Sequence, residues 1–336
     1  MRYVGLDLGW KVSAIHVRDR NGRKLSSRKI RGSWTKVLGE LMKVKRPFAI
    51  CFEASTGYGW MYERLKEMAS RVEVAHPGSL RMIFKSKRKS DRIDAEKLAK
   101  LLYLDEVPTV HVPSLDVRSW RGMIEHRSRL VQRRTGIKSA LRALLRGQAI
   151  VAPRSLWNRK GMAWLEGLAF ANGLVTVRRD LFVEEVRRHD AMLKRVEKEL
   201  DKVGRCHPGV RLLRTIPGIG PRTAEAVMAY VDVPERFHSN RSIGCYFGIV
   251  PCQDESAGRN RLGHITKQGP STVRRLVVEA AWQAVRRSPA VKARFQKVLR
   301  ADPKRKKRAI VAVAHYLFRV MLAMLQSGEP WREQSA

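Results

Sequence analysis

Acidic residues are in short supply in this chain. Asp and Glu together number 31 against 68 Lys and Arg, a net charge of +37 over 336 residues. Cysteine is scarcer still, with only Cys51, Cys206, Cys245 and Cys252. No two of them have CxxC spacing, which argues against a structural zinc site. So few thiols in so long a chain fit a reducing compartment, so a cytoplasmic location is expected. No stretch reads as the roughly 18–20 apolar residues of a membrane span. The apolar pattern near the C-terminus is interrupted by His315 and Arg319, and no membrane is expected as a partner. The opening MRYVGLDLGW enters a strand pattern without the layout of a signal peptide. No internal repeat is evident. The hydrophobic share of 44% is that of a folded protein, which excludes disorder as the main reading.

What is present in excess is positive charge. A charge this large repels itself in the folded state and is tolerated where a polyanion is the usual partner. Nucleic acid is the commonest such partner, because lysine and arginine release counterions from phosphates on binding. A nucleoid-associated protein is the corresponding expectation.

Strand and helix signals alternate over the first hundred residues. Residues 3–8, 13–18 and 24–30 read as strands, with an Asn21-Gly22 turn between the second and third. Ser33 is placed to cap a helix reaching Val44. Phe48 to Phe52 is a wholly apolar strand suited to a sheet centre. A helix near Trp60 to Ser70, a strand over Val72 to Ala75 and a helix over Asp91 to Leu102 complete a mixed α/β sheet domain. Val117 to Gln148 reads as one long helix with a basic face of Arg134, Lys138, Arg142 and Arg146. Phe182, Val186, His189, Leu193, Val196 and Leu200 alternate by four and three, the spacing of a coiled coil or an intramolecular helix pair. From Gly204 onward the chain reads as mostly helical, with apolar periodicity from Val273 to Ala284 and from Ile310 to Met324. The expected organisation is a sheet domain over 1–150, a helical or coiled-coil connector over 151–203 and a helical domain over 204–336.

Against this basic background four acids stand out. Asp7 lies inside an apolar strand, where a carboxylate is costly without a partner. Glu53 directly follows the apolar fourth strand. Asp91 and Asp94 are three apart on a helix and so face one side. If the first and fourth strands are neighbours, all four meet at one sheet edge. Hard divalent cations such as Mg²⁺ or Mn²⁺ favour this ligand type. Two such ions about 4 Å apart stabilise both oxygens of a phosphoryl transfer. Lys85, Lys87, Arg88, Lys89 and Arg92 would guide a phosphate backbone in. The order of acids on strand, strand and helix points to a ribonuclease-H-like fold. Taken singly, Asp91 is also a favourable first-turn acid, and Asp94 a partner for a nearby base. The segment Gly5 to Gly9 also resembles the first phosphate loop of actin-like ATPases, but the further glycine-rich loops that those chains need are missing.

Two glycine-bearing segments follow. Leu212 to Ala224, with Pro217-Gly218-Ile219-Gly220, resembles a helix-hairpin-helix, whose free amides grip phosphate without reading sequence. Val250 to Gly269 is a polar, basic loop around Ser256, a turn serine on its own terms, since no activating base is identifiable from spacing. Expected nucleic-acid contacts are Gly218, Gly220 and Arg222 in the first segment and Arg259 and Lys267 in the second. Arg134, Lys138 and Arg142 on the long helix join them, although a solvated helix face accounts for any one of these three.

Taken in order, GLDLGWK at Asp7, FEASTGYG at Glu53, DRIDAEKLA at Asp91 and Asp94, IPGIG at Gly218 and Gly220, and VPCQDESAGRNRLGHITKQG around Ser256 resemble the DEDD transposases of the insertion sequence 110 family. The resemblance covers nearly the whole chain. It implies a RuvC-like domain, a coiled-coil connector and a C-terminal transposase domain. It implies Mg²⁺ on Asp7, Glu53, Asp91 and Asp94, and Ser256 as a nucleophile forming a covalent 5′-phosphoserine link to DNA. It further implies a composite site built by different subunits of a dimer or tetramer, and a structured non-coding bridge RNA that pairs with donor and target DNA. This chain departs from the family in having Glu255 and Ala257 around Ser256, where paired serines and two glycines are common. Thr266 likewise stands where a serine is expected. A metal-dependent junction nuclease with a structural Ser256, a related DNA invertase, and a non-enzymatic nucleic-acid scaffold are the competing readings.

Overall fold

The computed structural model describes residues 1–83, 90–256 and 259–333, and of residues 254–260 no side chains. The basic residues Lys85, Lys87, Arg88 and Lys89 lie outside the described residues. The chain divides into two compact units, Met1–Leu115 and Asp116–Ala336.

The first unit begins with an antiparallel meander, β1 (Arg2–Asp7), β2 (Val12–Arg18) and β3 (Lys24–Arg31). The β2–β3 turn follows the Asn21-Gly22 signal, with Gly22 at φ 77° and Asp19 accepting bonds from the amides of Asn21 and Arg23. Next come α1 (Trp34–Met42), β4 (Phe48–Glu53), α2 (Tyr58–Lys66) and β5 (Arg71–Ala75). The unit closes with α3 (Pro77–Ile83) and α4 (Asp91–Leu104). The five strands form one sheet in the order β3-β2-β1-β4-β5. Strand β4 runs parallel to β1 and to β5, so a mixed sheet is present, as the strand pattern predicts.

Side chains alternate across the sheet. Val4, Leu6, Ile50 and Phe52 point to one face and pack with Val37, Leu41, Met61 and Leu65 of α1 and α2. Each such apolar side chain contributes about 1.5–3 kcal/mol through burial. Ala49, Cys51 and Ala75 point to the other face and pack with Leu98 and Leu102 of α4. Gly5 lets α4 lie flush on β1, because a Cβ there would sit 2.0 Å from the Ala95 carbonyl oxygen and 2.5 Å from the Ala99 nitrogen. Ser90 caps α4 as expected, its hydroxyl accepting from the Ile93 amide.

The second unit opens with α5 (Leu115–Gly147), α6 (Arg159–Glu166) and α7 (Gly173–Cys206). Helices α5 and α7 form an antiparallel pair. Arg127 meets Glu197 and Arg134 meets Asp190, both at 2.6 Å. A seven-residue step up α5 therefore matches a seven-residue step down α7, and the next step brings Leu141 and Val183 into one core. The heptad seam is thus used within the chain, with Val186, Leu193 and Leu200 buried. His189 is only half-buried and its Nδ1 lies 2.8 Å from the Glu185 carbonyl, which removes the cost of a polar seam residue.

The rest is α8 (Pro208–Leu213), α9 (Pro221–Val231), α10 (Ser242–Tyr246), β6 (Pro251–Ser256), β7 (Arg259–Ile265), α11 (Ser271–Arg287), α12 (Pro289–Leu299) and α13 (Lys306–Ser327). Trp120, Ile124 and Leu200 share a core with α9, α11 and α13. That sharing places α5 in the second unit, so the compact boundary falls at Leu115 and not at the expected 150. Gly204, expected to open the last domain, is in the final turns of α7, where a Cβ would sit 2.3 Å from a Glu225 carboxylate oxygen. Helix α13 has the length and composition to cross a membrane, which corrects the reading of His315 and Arg319 as breaks. Its apolar side chains, among them Val313, Leu317, Phe318 and Met321, are in the unit's core.

Candidate active site

Strand register brings Asp7 and Glu53 to one edge. Gly5 pairs with Cys51 and Leu6 with Phe52 across parallel β1 and β4, so Asp7 and Glu53 stand next in line. Glu53 is two residues beyond Cys51, which packs on α4, and Asp7 is two beyond Gly5, whose Cβ direction points at the α4 backbone, so both project toward that helix. The first turn of α4 carries Asp91 and Asp94, and the Gly5 contact fixes where that turn lies over β1. All four carboxylates are half-buried. Lys29 of β3 holds Asp91 at 2.8 Å, and Lys97 approaches Asp94 at 3.7 Å. The donor chemistry fits a hard divalent cation. Among the described residues, however, no three of these side chains close into a ready cage. On the same face, His16 of β2 pairs in register with Gly5. It is buried with neither ring nitrogen bonded, and burial lowers its pKa, favouring the neutral ring.

The helix-hairpin-helix expectation corresponds to α8, a turn and α9. Gly218 has φ 92°, and a Cβ there would sit 2.5 Å from the Ala284 nitrogen. Its role in the structure is close approach of the turn to α11. Gly220 precedes α9 with open space around it and no side-chain cap on the helix. Arg222 does not face outward. It pairs with Asp201 of α7 and, at 2.9 Å, with Glu225, whose side chain is 1% exposed. Burial pushes the Glu225 carboxyl up to about 7, against the pull of Arg222. Beside this pair Arg275 donates to Ser128, Thr272 to Glu125 and Tyr230 to Glu125. A cavity of about 230 Å³ lies among Arg127, Arg222, Glu225 and Arg275. Periodicity shows none of these long-range pairs.

The loop around Ser256 is an antiparallel hairpin, with Ser256 opposite Arg259 at its end. The mostly helical expectation missed these two strands, because their polar sequence lacks an apolar alternation. The side chains of Ser256 and Arg259 lie outside the described residues. Arg274 ties the hairpin's base to α11 by donating to the carbonyls of Phe247, Gln268 and Lys267. Lys267 itself adopts φ 56° and lines a groove of about 700 Å³ with His264, Lys307, Arg308 and His315.

The basic stripe of α5 is partly engaged inside the unit. Arg134 is paired with Asp190. Lys138 and Arg142 lie over the Trp157 ring at 4.6 and 5.6 Å. Burial, and then the nearby Arg134, lower the Lys138 pKa.

Residues 4–149 match a DEDD-type IS110 transposase family model, and residues 210–296 match the transposase IS116/IS110/IS902 family. A putative transposase of Sinorhizobium fredii, y4pF/y4sB, is 27% identical over 85% of this chain and 75% of its own length. A probable family 20 transposase of Pseudomonas aeruginosa is 26% identical over 84% of each chain. The transposase of insertion sequence element IS1111A from Coxiella burnetii is 24% identical over 99% of this chain and 92% of its own. An acid-edged mixed sheet together with these matches defines a DNA transposase, an enzyme of strand breakage and joining. The chain belongs to the IS110 family. That family implies a ribonuclease-H-like fold for the first unit and typically uses a divalent metal.

Proposed function

We propose that the protein cuts and rejoins the DNA ends of its insertion sequence, with Ser256 as nucleophile and Asp7, Glu53, Asp91 and Asp94 as holders of Mg²⁺ or Mn²⁺. The observation that carries the reading is the meeting of Asp7 and Glu53 on the α4 face of adjacent parallel strands. A divalent ion held there would neutralise phosphate charge and lower the pKa of a nearby hydroxyl. For Asp91 to join such a set, it exchanges its bond with Lys29, which is exposed enough to turn away.

The chemistry then conserves strand ends. The Ser256 oxygen attacks phosphorus as its proton leaves to solvent, and a serine O–P bond forms. The bond from phosphorus to the 3′-oxygen breaks, and that oxygen takes a proton to leave a 3′-hydroxyl. Another strand's 3′-hydroxyl later attacks the phosphoserine and releases the serine. Ser256 and the acids come from different subunits of a dimer or tetramer, in a RuvC-like domain and a transposase domain. A bridge RNA pairs with donor and target DNA, and the protein works in the cytoplasm on the nucleoid. Gly220 at the open start of α9, together with Lys138, Arg142, Arg259 and Lys267, contacts phosphates.

The test is covalent trapping. Protein, Mg²⁺, the element's RNA and labelled donor DNA are incubated and denatured. Wild type is expected to carry a label that Ser256→Ala loses. An adduct retained by Ser256→Ala would remove the serine from its role. Cleavage with no adduct at any time would instead indicate a nuclease that activates water.

A further inference from the structure

Three of the chain's eight tryptophans gather at the sheet edge that carries Asp7 and Glu53. Trp10 is three residues past Asp7 and is 75% exposed, and Trp60 is seven past Glu53 and 43% exposed. Trp34, at the start of α1, stands between them, with ring centroids 5.1 Å from Trp10 and 5.9 Å from Trp60. Its indole N–H donates to the Gly9 carbonyl at 2.9 Å. Gly57, at φ 79°, makes room on the other side, since a Cβ there would sit 2.0 Å from the Trp34 ring. One half-buried indole thus staples the loop that leaves β1 to the loop that leaves β4. Two exposed indoles are held on either side of it.

Exposing an indole this fully forgoes its burial energy, and an exposed aromatic cluster marks an interaction site. The surroundings select the partner. Lys11 is exposed beside Trp10, and the Arg64 guanidinium lies over the Trp60 ring at 5.8 Å. Exposed aromatic faces interleaved with cations are what an unpaired nucleic-acid strand uses, with bases stacking on rings and phosphates on cations. A paired duplex keeps its base faces covered and has nothing to offer the rings.

We propose that Trp10 and Trp60 form a stacking shelf for unpaired bases of the strand handled at the acidic edge. The proposal rests on the reading that the first unit acts on nucleic acid. The shelf makes opening of the duplex next to the acids favourable, and it gives Trp10 and Trp60 a positioning role.

The experiment uses the full chain without divalent metal, so that strand cutting plays no part. Binding is measured with a single-stranded DNA oligonucleotide containing 2-aminopurine, with the same strand made abasic, and with its duplex. Trp10→Ala is expected to weaken binding of the base-bearing strand by about tenfold, the size of one lost stacking contact. Trp10→Phe keeps a ring and is expected to restore most of it. On the abasic strand and the duplex, Trp10→Ala and wild type should bind alike. Trp60→Ala should repeat the pattern. The proposal is overturned if the double variant binds the base-bearing strand as tightly as wild type does. An equal loss on base-bearing and abasic strands also overturns it, since the rings then act through charge placement or folding, or serve a protein partner. Wild type binding none of the three would overturn the nucleic-acid reading as well, whereas absence of a serine adduct in the trapping assay leaves the shelf intact.

Discussion

In the first unit Asp7, Glu53, Asp91 and Asp94 sit half-buried at the ends of two strands and the start of a helix, and Lys29 and Lys97 meet Asp91 and Asp94. In the second unit Glu225, Asp201 and Glu125 are held by Arg222, Thr272 and Tyr230 in a polar network between helices. Both units gather acids in a chain of net +37, but in the second unit one largely buried guanidinium, that of Arg222, ties Asp201 and Glu225 together as the helices pack. A lysine has a flexible stem and can swing out at little cost, whereas a planar guanidinium in a buried fork cannot. On the proposed metal reading, the carboxylates met by lysine are the ones that an incoming cation would take. Those met by arginine are committed to holding helices together.

The largest effect that would break this contrast is on catalysis. Asp7→Asn removes one of the charged oxygens that the proposed metal site needs and keeps the shape of the side chain. Strand cleavage is expected to fall at least about a thousandfold, or about 4 kcal/mol in activation free energy. The denaturant midpoint should stay near that of wild type. Full cleavage by this variant would mean that the edge carboxylates are merely structural.

The arginine-bound set should behave in the opposite way. Arg222→Ala leaves Glu225 buried with less compensation, and a loss of about 2–3 kcal/mol is expected in chemical denaturation. If Arg222 grips phosphate instead, the variant loses DNA affinity and keeps its stability. Glu225 adds a pH signature. Its carboxyl is raised to about 7 in the fold, so between pH 4.5 and 7 the native state holds a proton that the unfolded chain has released. Stability therefore falls as pH rises through that window. Glu225→Gln should flatten the fall by about 1–3 kcal/mol between those limits, and an unchanged slope would assign the effect to another group.

How much of this was legible in the sequence follows from the range of each interaction. Asp7 within an apolar strand, the Asn21-Gly22 turn and the Ser90 cap are local patterns, and the structure has all three. The adjacency of β1 and β4 was conditional in the sequence, yet once granted it puts Asp7 beside Glu53. The ion pairs of Arg222 have no sign in the sequence, because its partners, Asp201 and Glu225, lie partly on another helix, and a glycine-rich turn advertises phosphate binding whichever way its arginine points. Gly5 reads as part of a GLDLG loop, and only the packing of α4 shows that it is a contact with Ala95 and Ala99. The tryptophan shelf was missed for the same reason. Trp10, Trp34 and Trp60 are about 25 residues apart, which no helical or strand period connects. The clue available was their place soon after the acid-bearing strands.

A smaller effect sharpens the geometry of the acidic edge. Gly5→Ala puts a methyl against the α4 backbone at 2.0 Å. The helix must shift, at a cost of about 1–3 kcal/mol in denaturation. Asp94 moves with it, so cleavage should fall more than the stability loss predicts at a temperature where the variant is fully folded. If cleavage instead follows only the folded fraction, the position of α4 does not matter to the site.

The smallest expected effect concerns the helix pair. Arg134 and Asp190 are about one-third and two-fifths exposed, and partly exposed ion pairs contribute about 0.2–1 kcal/mol. A double-mutant cycle with Arg134→Ala and Asp190→Ala should return a coupling energy in that range. DNA affinity in Arg134→Ala should drop no more than in Asp190→Ala, because the guanidinium is already held by the carboxylate. The outcome that would return Arg134 to the nucleic-acid face is a zero coupling energy together with a salt slope of DNA binding reduced by about one in Arg134→Ala alone. Lys138 and Arg142, held over Trp157 and bound to no carboxylate in that contact, should show the salt-slope change that Arg134 does not. The α5 stripe then divides into a residue that closes the helix pair and two that meet phosphate.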